Sequence, residues 1–166
     1  PKTPKPQRAA QCIELILNLN MDTTDAPQIL DHASISLAFT PFDTKWIPSS
    51  ARFCLFGQTP SAKGVFNIYS MEGGKLNLLN EWVKPFGIKA GTFKASPVSI
   101  RDVAVVDYKG KLTIFDIERG VAKFEVQAHA SMANTVDGIG GKGAEYGAPE
   151  LVTGGTDGCV RVWDPR

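Results

Sequence analysis

Three segments of the sequence repeat one pattern at a nearly constant interval. Each runs from a turn glycine through alternating residues to an aromatic residue, which is followed by a small polar residue. The three segments are Gly64–Ser70, Gly110–Asp116 and Gly158–Asp164. The aromatic residues of successive segments lie 46 and 48 residues apart. This regular spacing indicates that one supersecondary unit recurs along the chain.

Short runs of β-branched and aromatic residues, bounded by Gly, Pro, Ser and Asp, surround each repeated segment. Such runs predict strands. They occupy residues 43–47, 52–56, 75–83, 88–93, 102–106, 122–127, 135–139 and 150–153. Helical periodicity is nearly absent after residue 25, so the body of the chain is predicted to be all-β.

The repeat length distinguishes two all-β architectures. A β-sandwich also contains many short strands, but it gives no reason for a fixed interval. One four-stranded propeller blade spans roughly 40 to 45 residues, close to the interval seen here. The sequence therefore predicts an open fragment of about three four-stranded blades from a β-propeller. The blades are predicted at about 41–84, 86–128 and 132–166, the last incomplete, within a domain over 26–166 that follows an N-terminal extension over 1–25.

The charge balance argues against two classes of partner. Eighteen basic and seventeen acidic residues leave a formal charge of +1, and the lysines are scattered through the sequence. Nucleic acids and anionic membranes are recognised by basic patches, so neither is an expected partner. An apolar stretch from Ala9 to Met21 follows three basic residues, but Glu14 and two asparagines interrupt it. It is too short and too polar for a membrane span, and no signal-peptide cleavage site follows.

The cysteines predict neither disulfides nor a metal site. Cys12, Cys54 and Cys159 are an odd number and lack the CxxC or Cys/His spacing of structural zinc sites. A reducing cytosol fits this cysteine usage best.

The sequence contains neither a complete cofactor-binding motif nor a catalytic motif. Residues 138–143 formally match GxGxxG, but a dinucleotide site needs a helix to open there, and Ala144–Pro149 cannot supply one. His32 and His129 are the only histidines, and no paired carboxylates have a spacing typical of acid and base catalysis. We therefore expect no cofactor, no bound metal and no enzymatic activity.

The last repeat resembles the signature of the WD-repeat family at nearly every position. Ala128-His129 also stands where that family places a Gly-His pair. The resemblance implies a seven-bladed ring, of which this chain would be the N-terminal part, with Gln28–His32 as the strand that closes the ring. It further implies a buried hydrogen-bonded network of four side chains, His129, Thr153, Asp157 and Trp163. Such a network fixes a loop between blades at low cost only when every member has a partner.

The other two repeats depart from that signature. The second has Phe115-Asp116 instead of Trp-Asp and Lys109 where the turn aspartate belongs. The first has Tyr69-Ser70 and an inserted segment over 58–63. We expect both repeats to lack the network and to depend on aromatic packing.

A narrower resemblance covers residues 26–166. Residues 27–30, 45–48, 88–93, 137–141 and 147–166 resemble the Monad family of WD-repeat factors linked to axonemal dynein assembly. The resemblance implies a cytoplasmic adaptor that works with chaperone-linked, prefoldin-like co-chaperone subunits to mature dynein heavy chains for the cilium. The family has also been connected with apoptosis.

The resemblance also suggests where partners bind. In WD propellers the residue before the turn aspartate and the residues that open the innermost strand face the partner. The corresponding positions here are Lys89, Tyr108, Met132, Asn134 and Thr156. An alternative function is recognition of modified peptides, as in a methyl-lysine or degron reader. That function needs an aromatic cage or a basic cluster at the central channel, for which only Tyr108 is an obvious candidate.

Overall fold

The computed structural model describes residues 31–139 and 151–164. The chain divides into two compact units, residues 1–32 and residues 33–166. Of the first unit only Asp31 and His32 are described, and neither belongs to a strand. The predicted extension over 1–25, most of the predicted closing strand and most of the glycine-rich segment after Gly138 lie outside the described residues.

The second unit consists of antiparallel sheets in which the strands follow one another in chain order. The first sheet contains β1 (Thr40–Trp46), β2 (Arg52–Gln58), β3 (Gly64–Glu72) and β4 (Lys75–Lys84). The second sheet contains β5 (Ile88–Thr92), β6 (Val103–Asp107), β7 (Lys111–Asp116) and β8 (Val121–Gln127). The third contains β9 (Ala133–Gly138), β10 (Leu151–Gly155) and β11 (Val160–Trp163). No helix occurs in residues 31–139 and 151–164, so the all-β prediction is confirmed for this part of the chain.

The predicted strand boundaries differ from the observed ones by a few residues. The first strand begins at Thr40 and not at Asp43, because a bulge between Pro41 and Asp43 lets pairing with β2 continue past the irregular register. The fifth strand ends at Thr92, one residue before the predicted end at Phe93.

Glycines occupy the turns where the backbone enters the left-handed region. Gly73 and Gly74 form the two-residue connection between β3 and β4, with φ angles of 57° and 75°. The repeat glycines Gly110 and Gly158 have φ angles of 78° and 72°. A Cβ atom on Gly110 would also collide with the backbone oxygens of His129 and Ser131. The glycine that opens each of these two repeats is therefore required by the turn itself.

Strands β6 and β7 of the second sheet are buried on both faces, and their alternating residues divide between two cores. On β6, Val103 and Val105 face the first sheet, whereas Ala104 and Val106 face the third. The core between the first and second sheets is built largely from Ile47, Cys54, Phe56, Phe66, Ile68, Ile88, Phe93 and Phe115. The core between the second and third sheets is built from smaller residues, including Ala95, Leu112, Ile114, Ala128, Ala133, Val136 and Leu151. The period of two along each strand thus links three sheets into one stack.

The first strands of the three sheets lie next to one another, β5 between β1 and β9. Two side chains tie these strands together. The Asp43 carboxylate accepts a hydrogen bond from the Gly91 N–H at 2.9 Å, and the Thr92 hydroxyl donates to Asp137 at 3.2 Å. This arrangement is consistent with a propeller fragment, in which each innermost strand contacts the next.

The β2–β3, β6–β7 and β10–β11 turns lie at one end of the stack, together with the two connections between sheets. Tyr108 N–H donates to the Gly87 carbonyl at 3.0 Å, and Thr156 N–H donates to the Met132 carbonyl at 2.9 Å. We call this end, formed by residues 59–63, 85–87, 108–110, 128–132 and 156–159, the turn end. Because antiparallel strands reverse direction at each turn, residues 47–51, 96–102 and 117–120 lie at the opposite end.

Candidate functional site

Four polar side chains of the third sheet and the loop before it form a continuous chain of hydrogen bonds. The Trp163 indole N–H donates to the Thr153 hydroxyl oxygen at 2.8 Å. That oxygen lies 2.9 Å from His129 Nε2, and His129 Nδ1 lies 2.9 Å from an Asp157 carboxylate oxygen. The structure therefore brings together the four residues for which the WD-repeat resemblance implied a polar network.

One assignment of protons satisfies every member of this network. The Trp163 indole can only donate, so the Thr153 oxygen accepts from it and its hydroxyl proton is directed to His129 Nε2. His129 then carries its own proton on Nδ1 and donates it to Asp157. The chain ends on a carboxylate, which can accept further hydrogen bonds.

Asp157 joins the imidazole to the turn and the loop around it. Its carboxylate also accepts from the N–H groups of Ala130, at 3.2 Å, and Cys159, at 3.1 Å, and pairs with the Arg161 guanidinium at 3.1 Å. Burial of the carboxyl acts to raise its pKa. The hydrogen bonds from His129, the two backbone N–H groups and Arg161 outweigh burial and hold the pKa of Asp157 well below its usual range.

Arg161 is a member of this site that sequence reasoning missed. Its guanidinium donates to the Ala128 carbonyl and pairs with Asp157. On β11 it lies two residues from Trp163 and therefore on the same face of the strand. That alternation was the available signal, but only the packed loop over 128–130 gives the guanidinium its acceptors.

The Thr153, His129 and Asp157 series has the hydrogen-bond order of a nucleophile, base and orienting acid. Thr153 is 0% exposed and His129 is 1% exposed. The Thr153 oxygen also already accepts the Trp163 N–H. A substrate cannot reach a hydroxyl in this position, so the geometry supports a structural role for the series and not a catalytic one.

The second sheet closes its equivalent turn by different means. Lys109 occupies the position of the turn aspartate, and Asp107 on β6 instead accepts from the N–H groups of Lys109 and Lys111, both at 2.9 Å. The Gln127 amide donates to the His129 carbonyl at 2.7 Å. This turn is thus stabilised by local capping without a buried network.

An ion cluster fixes the far end of the second sheet. Lys123 on β8 contacts Asp102 at 2.8 Å and Asp116 at 3.2 Å. Both carboxylates are buried. Hydrogen bonds from the Arg119 N–H and from Lys123 lower the pKa of Asp116 despite its burial, and those with Asp102 and Asp116 raise the pKa of Lys123. Asp116 is therefore held as a carboxylate that also caps the β7–β8 turn.

Aromatic rings dominate the contact between the first and second sheets. Phe66 lies at its centre, with its ring centroid 5.0 Å from those of Phe56 and Trp82 and 5.6 Å from that of Phe115. The rings of Trp82 and Phe115 are 5.4 Å apart in an edge-to-face arrangement. The expected aromatic packing of the two divergent repeats is present, and Phe115 of the second repeat takes part in it.

One polar bridge also crosses this aromatic interface. The Lys84 ammonium on β4 donates to the Thr113 hydroxyl on β7 at 2.8 Å and pairs with Glu125 at 3.4 Å. Burial disfavours the charged ammonium and lowers the pKa of Lys84, although Glu125 opposes this.

The five predicted partner-binding residues fall into two groups and one separate position. Lys89 and Tyr108 lie together, with the Lys89 ammonium 4.6 Å from the centroid of the Phe42 ring and 5.8 Å from that of Tyr108. Thr156 binds the Met132 carbonyl through its N–H and its hydroxyl. Asn134 lies exposed on β9. Phe42 was not identified from the sequence, because only the packing of β1 against the second sheet brings it to Lys89.

Within the described residues there is no group of His, Cys, Asp and Glu side chains that could hold a metal ion. Cys54 is buried with a raised thiol pKa, because burial disfavours the thiolate, and Cys159 is exposed; both are free thiols. None of the described segments forms a helix that could span a membrane.

Sequence comparison finds relatives but no matching family model. The chain is 44% identical over 147 residues to dynein axonemal assembly factor 10 of Chlamydomonas reinhardtii and to the protein of the same name from Bos taurus. The Homo sapiens protein is 42% identical over 147 residues. Each match covers 88% of this chain and 41% of the relative. Over most of its length the chain is thus homologous to a segment that makes up about two fifths of dynein axonemal assembly factor 10.

Proposed function

We propose that this chain is a non-enzymatic protein-interaction scaffold that acts in the assembly of axonemal dynein. The observation that carries the proposal is its 44% identity over 147 residues to proteins named dynein axonemal assembly factor 10. The burial of Thr153 and His129 supports the non-enzymatic part, because the Thr153, His129 and Asp157 series, although ordered as for nucleophilic chemistry, is closed to substrate.

We further propose that the three sheets are successive blades of a WD-repeat propeller, at about 41–84, 86–128 and 132–166. In each sheet the strands follow chain order, and the first strands of the three sheets lie side by side. Both features support this assignment. In the proposal, the network of His129, Thr153, Asp157 and Trp163 stabilises the loop between the second and third blades. A stable loop presents partner-binding residues in one geometry, which lowers the entropy cost of association.

The proposed binding surface is the turn end together with Phe42, Lys89 and Asn134 on the adjoining strands β1, β5 and β9. Tyr108 and Phe42 offer aromatic area beside the Lys89 ammonium, and Met132, Asn134 and Thr156 extend the surface along the third sheet. Aromatic residues contribute a large contact area at low conformational cost. The proposed partners are prefoldin-like co-chaperone subunits and dynein heavy chains in the cytoplasm.

The test is affinity capture of the intact protein from ciliated cells. Tyr108→Ala combined with Lys89→Glu should reduce recovery of co-chaperone subunits and dynein heavy chains. Lys75→Glu combined with Leu78→Ala, both on β4 and away from the turn end, serves as the matched control and should leave recovery unchanged. Equal recovery with both double variants would contradict the proposed surface.

Recovery of histones or ubiquitin-ligase subunits would instead favour recognition of modified peptides. One geometric feature weighs against that alternative. A methyl-lysine cage needs aromatic faces free to receive a cation, whereas the ring of Phe42 already lies 4.6 Å from the Lys89 ammonium. The internal lysine thus competes for the aromatic faces that an incoming methyl-lysine would use.

A further inference from the structure

A cleft of about 350 Å³ lies at the opposite end of the stack, between the first and second sheets. Three arginines line it, each from a different loop or strand end. They are Arg52 at the start of β2, Arg101 before β6 and Arg119 in the β7–β8 turn. Apolar surface from Trp82 and Ile117 forms another part of the lining, with Ile47 and Ile68 buried behind it. The cleft therefore combines several cationic groups with a partly apolar wall.

The three guanidinium groups have no anionic partner within residues 31–139 and 151–164. The Nε atom of Arg101 is buried and makes no hydrogen bond. A buried donor without an acceptor is unfavourable, and native proteins contain few of them.

The acidic residues nearest in sequence are already engaged. Asp102 follows Arg101 directly, but its two carboxylate oxygens contact the Lys123 ammonium at 2.8 and 3.0 Å. Asp116 contacts the same ammonium at 3.2 Å. Glu118 is the one carboxylate that lines the cleft, and it is exposed. Three guanidinium groups against one carboxylate leave an excess of positive charge.

The loop that carries Arg101 is held in a conformation that an unconstrained arginine would avoid. The φ angle of Arg101 is 59°, in the left-handed region. The loop is pinned on both sides of this residue, by the Ile100 N–H to the Pro97 carbonyl at 2.9 Å and by the Asp102 N–H to the Ser96 hydroxyl at 2.9 Å. Local strain of this kind persists only where surrounding contacts fix the backbone. Here those contacts hold the Arg101 backbone beside the cleft.

We propose that this cleft binds an anionic side chain, a carboxylate or a phosphoryl group, of an acidic peptide segment in a partner protein. A guanidinium presents paired N–H donors that match either group in a bidentate geometry. The apolar wall favours a peptide over a free anion, because the residues next to the anionic side chain would cover the partly exposed Trp82 and Ile117. The site lies at the opposite end from the proposed dynein-assembly surface, so the two proposals stand or fall separately.

The test measures binding of fluorescein-labelled peptides to the full chain by fluorescence polarisation. One peptide carries several glutamates, a second carries phosphoserine within the same sequence, and a third replaces every acidic residue with glutamine. Inorganic phosphate is added as a competitor. Arg52→Ala combined with Arg119→Ala removes two exposed side chains and should leave folding intact. Lys63→Ala combined with Lys75→Ala removes the same charge from exposed sites outside the cleft and is the matched control.

We expect at least one acidic peptide to bind more tightly than the glutamine peptide. The double arginine variant should weaken that binding about tenfold or more, and the double lysine variant about twofold or less. Arg101→Lys, which keeps the charge but loses the paired donors, should also weaken it. Preference for the glutamate or the phosphoserine peptide would identify the anionic group.

Three results would overturn the proposal. The first is equal affinity for all three peptides. The second is an equal loss in the arginine and lysine double variants, which would indicate general electrostatic attraction. The third is complete displacement of the labelled peptide by inorganic phosphate that binds as tightly as the peptide does. That result would show that the peptide backbone and the apolar wall contribute nothing to binding.

Discussion

The two interfaces between neighbouring sheets are built from different chemistry. The first and second sheets meet through large rings, with Phe66 packed against Phe56, Trp82 and Phe115. The second and third sheets meet through small residues such as Ala104 and Ala133, with the polar network at the turn end. Aromatic packing depends on area and tolerates change at the turns, whereas a buried network loses stability whenever one member is missing.

This difference fits the departure of the first two repeats from the turn residues of the third. Where rings fill the space between sheets, the turn residues are free to vary, as with Lys109 and the inserted segment over 58–63. Where the residues between sheets are small, the side chains of Trp163 and His129 supply the missing volume and the hydrogen bonds that orient the loop.

The largest effect is expected from removing the central ring of the aromatic interface. Phe66→Ala should lower the free energy of unfolding by about 3 to 5 kcal/mol, because it removes a buried ring and leaves a cavity between three others. Phe66→Leu, which refills part of the space, should cost about 1 to 2 kcal/mol. Urea denaturation monitored by circular dichroism measures both. Similar losses in the two variants would show that ring packing does not stabilise this interface.

A smaller effect is expected from breaking the polar network at its centre. Thr153→Val keeps the side-chain volume but removes the hydroxyl that joins Trp163 to His129, and should cost about 2 to 3 kcal/mol. Thr153→Ser keeps the hydroxyl and loses only a methyl group, and should cost about 1 kcal/mol. The comparison by urea denaturation isolates the hydrogen bonds. If the serine variant is the less stable of the two, packing and not hydrogen bonding is the source of stability here.

The network should also contribute to the loss of stability in acid. The pKa of Asp157 is lowered on folding, so its stabilising effect is complete above its ordinary pKa of 3.8 and is lost as the pH falls below that value. Unfolding free energies measured between about pH 6 and pH 2.5 should therefore decline less steeply in Asp157→Asn than in the wild type.

Asp137→Asn is the matched control for this measurement. The Asp137 carboxyl also has a lowered pKa, but it pairs with Lys94 at an exposed position. Its replacement should change the acid dependence less than replacement of Asp157. Equal changes in the two variants would mean that the network does not set the acid response.

The smallest expected effect is a selective change in thiol reactivity. Cys54 lies buried in the aromatic core and Cys159 lies exposed in the turn beside Asp157. In a Cys12→Ser background, Cys159 should react rapidly with a thiol reagent, and Cys54 should react only as the first interface opens. Phe66→Ala should accelerate Cys54 labelling more than Thr153→Val does. Equal acceleration would show that the two interfaces open together.

Local patterns determined the strands and their turns. The repeat interval and the alternation of apolar residues predicted the all-β body, and two of the repeat glycines, Gly110 and Gly158, marked turns with a positive φ. The network of His129, Thr153, Asp157 and Trp163 was implied by the resemblance of the last repeat to the WD signature and not by the interval or the alternation. The sequence similarity to dynein axonemal assembly factor 10 covers 88% of the chain.

Only the tertiary structure decided which side chains meet across sheets. Nothing in the sequence near Arg161 points to the Ala128 carbonyl, and nothing near Lys89 points to the Phe42 ring. The convergence of Arg52, Arg101 and Arg119 on one cleft likewise joins segments that are far apart along the chain. Alternation specifies the face of a strand on which a residue lies, but the residue opposite it depends on how the sheets stack, and that is set by the volume and shape of the whole core.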